Sequence, residues 1–488
     1  MKLSITCFLP FSDKEATTIS LLQLQQSDLV AQIYVLGNTP NIWGEKVTVL
    51  PIDKMFSSKT MEILAQHTNT PYLLFYTQPT PLQLGQFALQ RFCEVAQSTQ
   101  KGFIYGNSAV QKEGKIENYP VIDYQKGSLR DDFDFGSLIF MESATFKQAQ
   151  QQIKHHYDYA GWYAIRLEMI KLKGFFRIPE TLYTNQELDG RKSGEKLFDY
   201  VNPKNREVQI EMEHACTQYL KNIGVLLPPI NKEIDFSESN FSTVASVIIP
   251  VRNREKTIAD AIKSVLNQQT DFSFNLIVVD NHSTDRTTEI IQSFAKEDKR
   301  IIHLIPNRTD LGIGGCWNEG VFHQECGQFA VQLDSDDLYA DNSTLQQIIA
   351  TFYAEKCAMV IGSYQMVDFD LQEIPPGIID HKEWTSENGH NNALRINGLG
   401  APRAFYTPIL RENPLPNVSY GEDYAIGLKL SRSYKIGRIY NPIYLCRRWH
   451  DNSDAALDME KMNAHNFYKD TLRTIELQAR LKKHNVID

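Results

Sequence analysis

The chain has 488 residues, with 42% hydrophobic and 22% charged residues, 26 Gly, 20 Pro and a formal net charge of −9 from 50 Lys plus Arg against 59 Asp plus Glu. This composition excludes collagenous and largely disordered classes, and the length exceeds the roughly 250–300 residues at which one core stops growing, so two domains are expected. The acidic balance argues against a nucleic-acid binder, and seven scattered cysteines without a C-x-x-C pair suggest neither a disulfide framework nor a zinc knuckle, which fits a reducing cytoplasm.

In chain order, Met1 to Phe11 reads as a first β-strand, its apolar stretch ending at Pro10 and too short for a signal-peptide core. No uncharged apolar run approaches the roughly 18–20 residues of a spanning helix, so any membrane association is expected to be peripheral. Gln32 to Leu36 and Tyr72 to Tyr76 are further strand candidates. A break is expected at Leu227 to Ser242, where Pro228, Pro229 and a polar tract interrupt both periodicities. Beyond it, Val244 to Val251 reads as a buried strand, Lys256 to Gln268 as a helix and Asn275 to Asp280 as a strand, a β-α-β unit. Helix Thr287 to Ala295, strand Ile301 to Ile305, a Gly-rich turn, a helix near Trp317 to Gln324 and strand Phe329 to Leu333 follow. Such alternation predicts a mostly parallel sheet flanked by helices.

The two halves repeat. Tyr163-Ala164-Ile165 and Arg177-Ile178 with Tyr183 recur 261 positions later as Tyr424-Ala425-Ile426 and Arg438-Ile439 with Tyr444. At smaller offsets Ile5 to Phe11 pairs with Val247 to Val251, Gln32 to Leu36 with Leu276 to Asp280, and Tyr72 to Tyr76 with Phe329 to Leu333. A tandem duplication is therefore expected, with domains at 1–230 and 231–456 and a helical extension at 457–488.

Chemistry concentrates in the second half. Asp334-Ser335-Asp336-Asp337 ends an apolar strand, and the carboxyl ends of strands are where α/β sheets bind ligands. Alternate carboxylates in a turn can face a hard divalent ion, and a helix-capping acidic turn is the plain alternative. His450, in Arg447-Arg448-Trp449-His450, can complete such a metal site, and Asp423, beside Glu422 at the head of a helical pattern, can serve as general base.

Taken in order, these motifs resemble a family-2 glycosyltransferase of the GT-A fold over residues 244–453. They are Ser246 to Asn253, Val278 to Asp285 (near V-D-D-G-S-x-D), Gly312 to Gly320, Asp334 to Asp337, Glu422-Asp423 and Arg448-Trp449-His450. The resemblance implies two tandem GT-A domains, the second an inverting enzyme. Pro250, Val251, Arg252, Asn253, Asp280, Gly312, Asn318, Asp334 and Ser335 would hold the nucleotide-sugar. Asp336 and His450 would hold Mn²⁺ or Mg²⁺, and Asp423 would be the catalytic base, with Glu422 helping to orient the acceptor. Arg403 and Trp449 are candidates for contact with the acceptor. Two departures stand out: Trp317 replaces an arginine usual near the nucleotide, and His282 replaces a flexible glycine.

The first half lacks these groups. Thr77-Gln78-Pro79-Thr80 stands where the carboxylate turn belongs, and Gly161, Trp162 and Asp189 stand 261 positions before Glu422, Asp423 and His450. A degenerate, inactive copy is expected, with Asp131-Asp132-Phe133-Asp134 as the alternative site. The resemblance implies a UDP-sugar donor, with GDP and dTDP sugars open, and a glycan or lipid-linked acceptor in bacterial surface polysaccharide synthesis. The rival reading is a non-catalytic glycan-binding scaffold of two transferase-like domains. Neither a G-x-G-x-x-G fingerprint nor a phosphate-loop motif is present. The C-terminal helical segment, Asp458 to Lys483, is read as packed on the second domain. Its alternative is an amphipathic helix on anionic lipid, a reading diluted by Glu460, Asp470 and Glu476.

Overall fold

Strands and helices alternate through the computed structural model, which describes residues 3–39, 43–44, 46–186, 205–229, 232–237, 241–449 and 458–485. The chain divides into two compact units: Met1–Lys192 with Arg206–Val225 and Leu457–Thr474, and Ser193–Asn205 with Leu226–Ala456 and Ile475–Asp488. In the first unit the order is β1 (Ile5–Pro10), α1 (Lys14–Gln25), β2 (Val30–Leu36), β3 (Val47–Leu50), α2 (Ser58–His67), β4 (Tyr72–Tyr76), β5 (Gln83–Leu84), α3 (Ala88–Thr99), β6 (Phe103–Lys112), β7 (Lys115–Tyr119), β8 (Leu138–Glu142), α4 (Ser143–Gln152), α5 (Gly161–Leu172), β9 (Phe175–Gln186) and α6 (Arg206–Asn222). The second unit follows with β10 (Ala245–Val251), α7 (Ile258–Leu266), β11 (Phe274–Asp280), α8 (Thr287–Glu297), β12 (Ile301–Leu304), α9 (Ile313–Phe322), β13 (Phe329–Gln332), β14 (Leu338–Tyr339) and α10 (Thr344–Glu355). It continues through β15 (Met359–Val367), β16 (Glu373–Ile379), α11 (Gly389–Asn392), β17 (Arg403–Tyr406), α12 (Thr407–Glu412), α13 (Glu422–Ser431) and β18 (Ile436–Arg447); the last helix of the chain is α14 (Met459–Asn485).

Each unit holds a nine-stranded sheet, and the two strand orders are the same: β3-β2-β1-β4-β8-β6-β9-β5 in the first and β12-β11-β10-β13-β17-β15-β18-β14 in the second, with β7 and β16 on the side. Two GT-A-type domains in tandem are thus realised, and the strand pairs read from sequence occupy matching places. α8 lies between β11 and β12 where the first unit has only residues 37–46, an insertion that accounts for part of the drifting offset. The four strands that carry the motifs are parallel, and β17 runs antiparallel to β13.

Hydrophobic periodicity produces these layers. Every residue of β10 but Pro250 is buried, as in a strand covered on both faces, and α7 buries Ile258, Ala261, Ile262 and Val265, the i, i+3, i+4, i+7 stripe that docks a helix on a sheet. One expectation is corrected. The helix placed near Trp317 starts at Ile313, because the glycines of the presumed turn form its first turn. They are required by close approach: a Cβ on Gly314 would lie 2.0 Å from the Pro416 carbonyl oxygen, and one on Gly315 2.3 Å from Asn417 Oδ1.

Of the acidic residues of α14, Glu460 is exposed, whereas Asp470 and Glu476 are buried inside rather than on a lipid-facing surface. Within the first unit Asp470 is buried against the Ser128 hydroxyl at 2.9 Å and Arg473 at 2.8 Å. Within the second, Glu476 is held by Arg432 and by Arg480 at 2.8 Å. Among the described residues no helix is long and apolar enough to cross a membrane.

Candidate active site

The register of the second sheet brings three strand ends to one edge. Val251 at the end of β10 lies opposite Asp280 at the end of β11, and Ile248 opposite Gln332 at the end of β13. The Asp334–Asp337 turn leaves the sheet at that edge and is latched from β18, about a hundred residues downstream. The Tyr444 hydroxyl accepts the Asp334 N–H at 3.1 Å, the Arg447 N–H donates to Asp337 Oδ1 at 2.8 Å, and Arg447 Nε donates to the Asp336 carbonyl at 2.5 Å.

Three guanidinium groups surround the carboxylates. Arg254 Nε stands 3.8 Å from Asp336 Oδ2, and Arg447 reaches Asp260 at 3.2 Å. Arg403 is ion-paired with Asp423 while its Nε donates to Gln332 Oε1 at 2.9 Å. Gln332 in turn donates to Asp334 Oδ1 at 2.8 Å, which joins the turn, Arg403 and Asp423 in one network. Asp423 and Glu422 open α13, where the helix dipole favours negative charge.

Burial sets the protonation of the acids. It raises Asp334, against the opposing pull of Arg403, and raises Asp337 well above the usual carboxylate range, helped by the charges of Asp336 and Asp334. Burial and then the neighbouring Asp423 charge push Glu422 up to about 8. Oε2 of Glu422 is buried and takes no hydrogen bond.

The residues expected to hold the nucleotide divide. Pro250 to Asn253 follow the sheet edge, with Asn253 in the left-handed region (φ 53°), its side chain accepting the Thr284 N–H at 2.7 Å. Arg252 is exposed there, and Ser335 is buried in the acidic turn. Asp280, expected to touch the base, is fully buried. Burial would raise its carboxyl, but hydrogen bonds from His303, Thr288 and Ser283 hold it well below the usual range. Its oxygens are bonded to Ser283, Thr288 and His303. Asn318 is likewise engaged, exchanging hydrogen bonds of 2.9 and 3.0 Å with the Leu415 backbone, and the Gly312 N–H donates to Asn417 Oδ1 at 2.7 Å.

His282 takes the left-handed conformation (φ 57°) that a glycine would supply, and its Nε2 contacts the Arg308 carbonyl at 2.8 Å. Trp317 is a core residue, edge-on to Phe405 at 6.1 Å, so the arginine it replaces has no counterpart at that position. The Trp449 ring lies 5.5 Å from Phe369, with Lys256 Nζ 5.7 Å from its centroid. His450 lies outside the described residues, among which no three His, Cys, Asp or Glu side chains are grouped to hold a metal. Arg254, Gln332, Tyr444 and Arg447 received no role in the sequence reading. Only Arg447, next to the quoted Arg448, gave a hint.

Comparison with known proteins bears on this arrangement. The family model "Glycosyl transferase family 2" matches residues 246–408. The putative teichuronic acid biosynthesis glycosyltransferase TuaG of Bacillus subtilis is 31% identical over 197 residues, covering 39% of this chain and 73% of TuaG. The chain belongs to glycosyl transferase family 2. The UDP-Glc:alpha-D-GlcNAc-diphosphoundecaprenol beta-1,3-glucosyltransferase WfgD of Escherichia coli is 27% identical over 210 residues, 42% of this chain and 76% of WfgD. An uncharacterized glycosyltransferase of Rickettsia bellii is 30% identical over 215 residues, 43% of this chain, and the match spans only 29% of that longer relative.

In this family-2 chain the first unit presents different chemistry at the equivalent places. After β4 the turn carries no carboxylate, and its Gln78 accepts a 2.5 Å hydrogen bond from Asn185. Gly161, the counterpart of Glu422, has no room for a side chain, since a Cβ would lie 2.2 Å from the Ser58 nitrogen. Trp162, the counterpart of Asp423, packs on Phe75 and Phe103 at 5.5 and 5.9 Å. Asp189 lies outside the described residues. Asp131 to Asp134 follow a turn rather than a strand, and Asp132 is paired with Arg130 at 2.9 Å.

Proposed function

We propose that the second unit transfers a hexosyl or N-acetylhexosaminyl group, with inversion, from a UDP-sugar to a glycan or lipid-linked acceptor in bacterial surface polysaccharide synthesis. The observation that carries this reading is the joining of the Asp334–Asp337 turn to Asp423 through Gln332 and Arg403 at the carboxyl edge of the sheet. The names of WfgD and TuaG support the donor and acceptor classes.

Asp423 accepts the proton of the acceptor hydroxyl as it attacks the anomeric carbon, and it does so once Arg403 has turned from it. One general base, with Glu422 only orienting the acceptor, suits a single displacement. Hard oxygen donors on a strand-end turn fit Mn²⁺ or Mg²⁺, and Asp336 with Asp334 would hold it, the donor's oxygens completing the set; His450 is proposed as a further ligand. When bound, such an ion neutralises the charge of the departing diphosphate. Arg254 adds positive charge on the same side, and Pro250 to Asn253 cradle the base. Glu422, Trp449 and Arg403 line the acceptor side.

We assign no transferase activity to the first unit and propose that it supports the second or binds glycan. The domain limits 1–230, 231–456 and 457–488 belong to this proposal, as does a cytoplasmic position with peripheral membrane contact. The deciding experiment is release of UDP from a panel of UDP-sugars by the full chain, with Mn²⁺ and with chelator. Metal-dependent turnover of one donor, abolished by Asp336→Ala, is expected; absence of binding to every nucleotide-sugar would make the scaffold reading the better one.

A further inference from the structure

The second unit has a cavity that the transfer chemistry does not use. It measures about 350 Å³ and is lined chiefly by Trp384, Tyr434, Tyr440, Arg438, Lys435 and Glu355. Its position separates it from the acidic turn. Arg438 and Arg447 lie near opposite ends of β18, nine residues apart, and at about 3.3 Å per residue the cavity is roughly 30 Å along the strand from the Asp336 latch.

The walls are fixed before any ligand arrives. Trp384 is clamped by Gly389, whose Cβ position would lie 2.5 Å from the indole Cδ1, and the Tyr440 hydroxyl donates to the Trp384 carbonyl at 2.8 Å. The Tyr440 side chain is itself exposed. Aromatic walls interleaved with polar side chains (Thr385, Ser386, His390) match the C–H faces and hydroxyls of a pyranose, in a volume within the usual range for ligand sites.

The charge is the more specific observation. Lys435 and Glu355 pair at 3.3 Å and cancel. Arg438 has no carboxylate bonded to it: its NH1 and NH2 donate to the carbonyls of Leu399 at 3.0 Å and Asp380 at 3.3 Å, and its Nε is buried without a partner. The nearby Asp380 and Glu383 are taken by Lys382 and His381, each at 2.7 Å. In the first unit the repeat equivalent, Arg177, has its Nε on Asp123 at 2.7 Å. The duplicated arginine is thus paired with a carboxylate in one copy and bonded only to backbone carbonyls in the other. Burial lowers Arg438 to about 10, a cost that an anion bound in the cavity would relieve.

We propose that this cavity is a second saccharide site, specific for a sugar unit bearing a negative charge, which Arg438 receives while Tyr440 and Tyr434 face the ring. The proposal does not depend on the donor chemistry, so it is tested without nucleotide or metal. Calorimetric titration of the full chain uses trigalacturonate, its neutral methyl ester and inorganic phosphate as probes. Saturable binding of trigalacturonate is expected, at least tenfold tighter than either comparison probe. Tyr440→Ala and Arg438→Gln should weaken it tenfold or more, and Asp336→Ala should leave it unchanged. Where Arg438→Gln perturbs folding, Tyr440→Ala, an exposed ring, gives the decision. Failure of trigalacturonate to bind, equal binding of the neutral ester or of phosphate, loss in Asp336→Ala, or indifference to Tyr440→Ala would each overturn the proposal.

Discussion

Asp423, the proposed general base, is ion-paired with Arg403. Asp423→Asn should lower the rate of transfer about 10²–10⁴-fold while donor binding, measured by calorimetry, stays within twofold. A parallel loss of donor binding would assign Asp423 to the donor instead. Glu422 carries a second prediction. Its pKa rises from 4.5 unfolded to about 8 folded, so between those values the native state holds the extra proton and stability falls as pH rises, levelling off above about 8. Asp337, also raised, acts in the same direction. Thermal midpoints across pH 5–9 should therefore decline, and Glu422→Gln should flatten the slope. Residue types in order were enough to single out Asp334, Asp336, Glu422 and Asp423, which the structure places around one network with Gln332 and Arg403. They were not enough to see that Asp280 and Asn318 spend their polar atoms on the loops around them, because that depends on which backbone groups the fold leaves unpaired.

At the scale of elements, β1, β2, β4 and β10 to β13 were legible because apolar runs of four to seven residues alternate with amphipathic helices, whereas β5 to β9 and β14 to β17, several of them short or half-exposed, were not. The start of α9 was not, since three glycines read as a turn until their contacts with residues 416–418 are known. Gly314→Ala should force the first turn of α9 off that segment, destabilising the chain by about 1–3 kcal/mol, which a melting curve would register. Buried tyrosines give a comparable test. Tyr163 and Tyr424, equivalent in the repeat, donate to the carbonyls of Leu129 and Ala393 from α5 and α13. Tyr424→Phe strands the Ala393 carbonyl and should cost about 1–3 kcal/mol in urea melts. Arg254 and Arg447 escaped the sequence reading for a related reason, as their partners lie about 80 and 110 residues away.

For the whole molecule, duplication gives two similar frames, of which only the second is proposed to carry a competent site. With Gly161 barred from carrying a side chain and Trp162 built into the core, Asp336→Ala in the full chain should leave no residual turnover of any nucleotide-sugar. Residual activity above about 1% of wild type in a donor-release assay would point to a second centre in the first unit.

The latch between β18 and the acidic turn also sets an order of assembly. β14 pairs with β18 through Leu338 with Leu445 and Tyr339 with Tyr444, and Tyr444 and Arg447 add bonds to the turn. On a ribosome adding about 5–20 residues per second, Asp334 to Asp337 emerge several seconds before the strand that pins them. During that interval the parallel strands β10 to β13 have emerged, with the three carboxylates of the turn, Asp334, Asp336 and Asp337, not yet pinned from β18. Long-range pairing of this kind is slow to nucleate, so the turn that would do the chemistry is among the late parts of this unit to mature during synthesis.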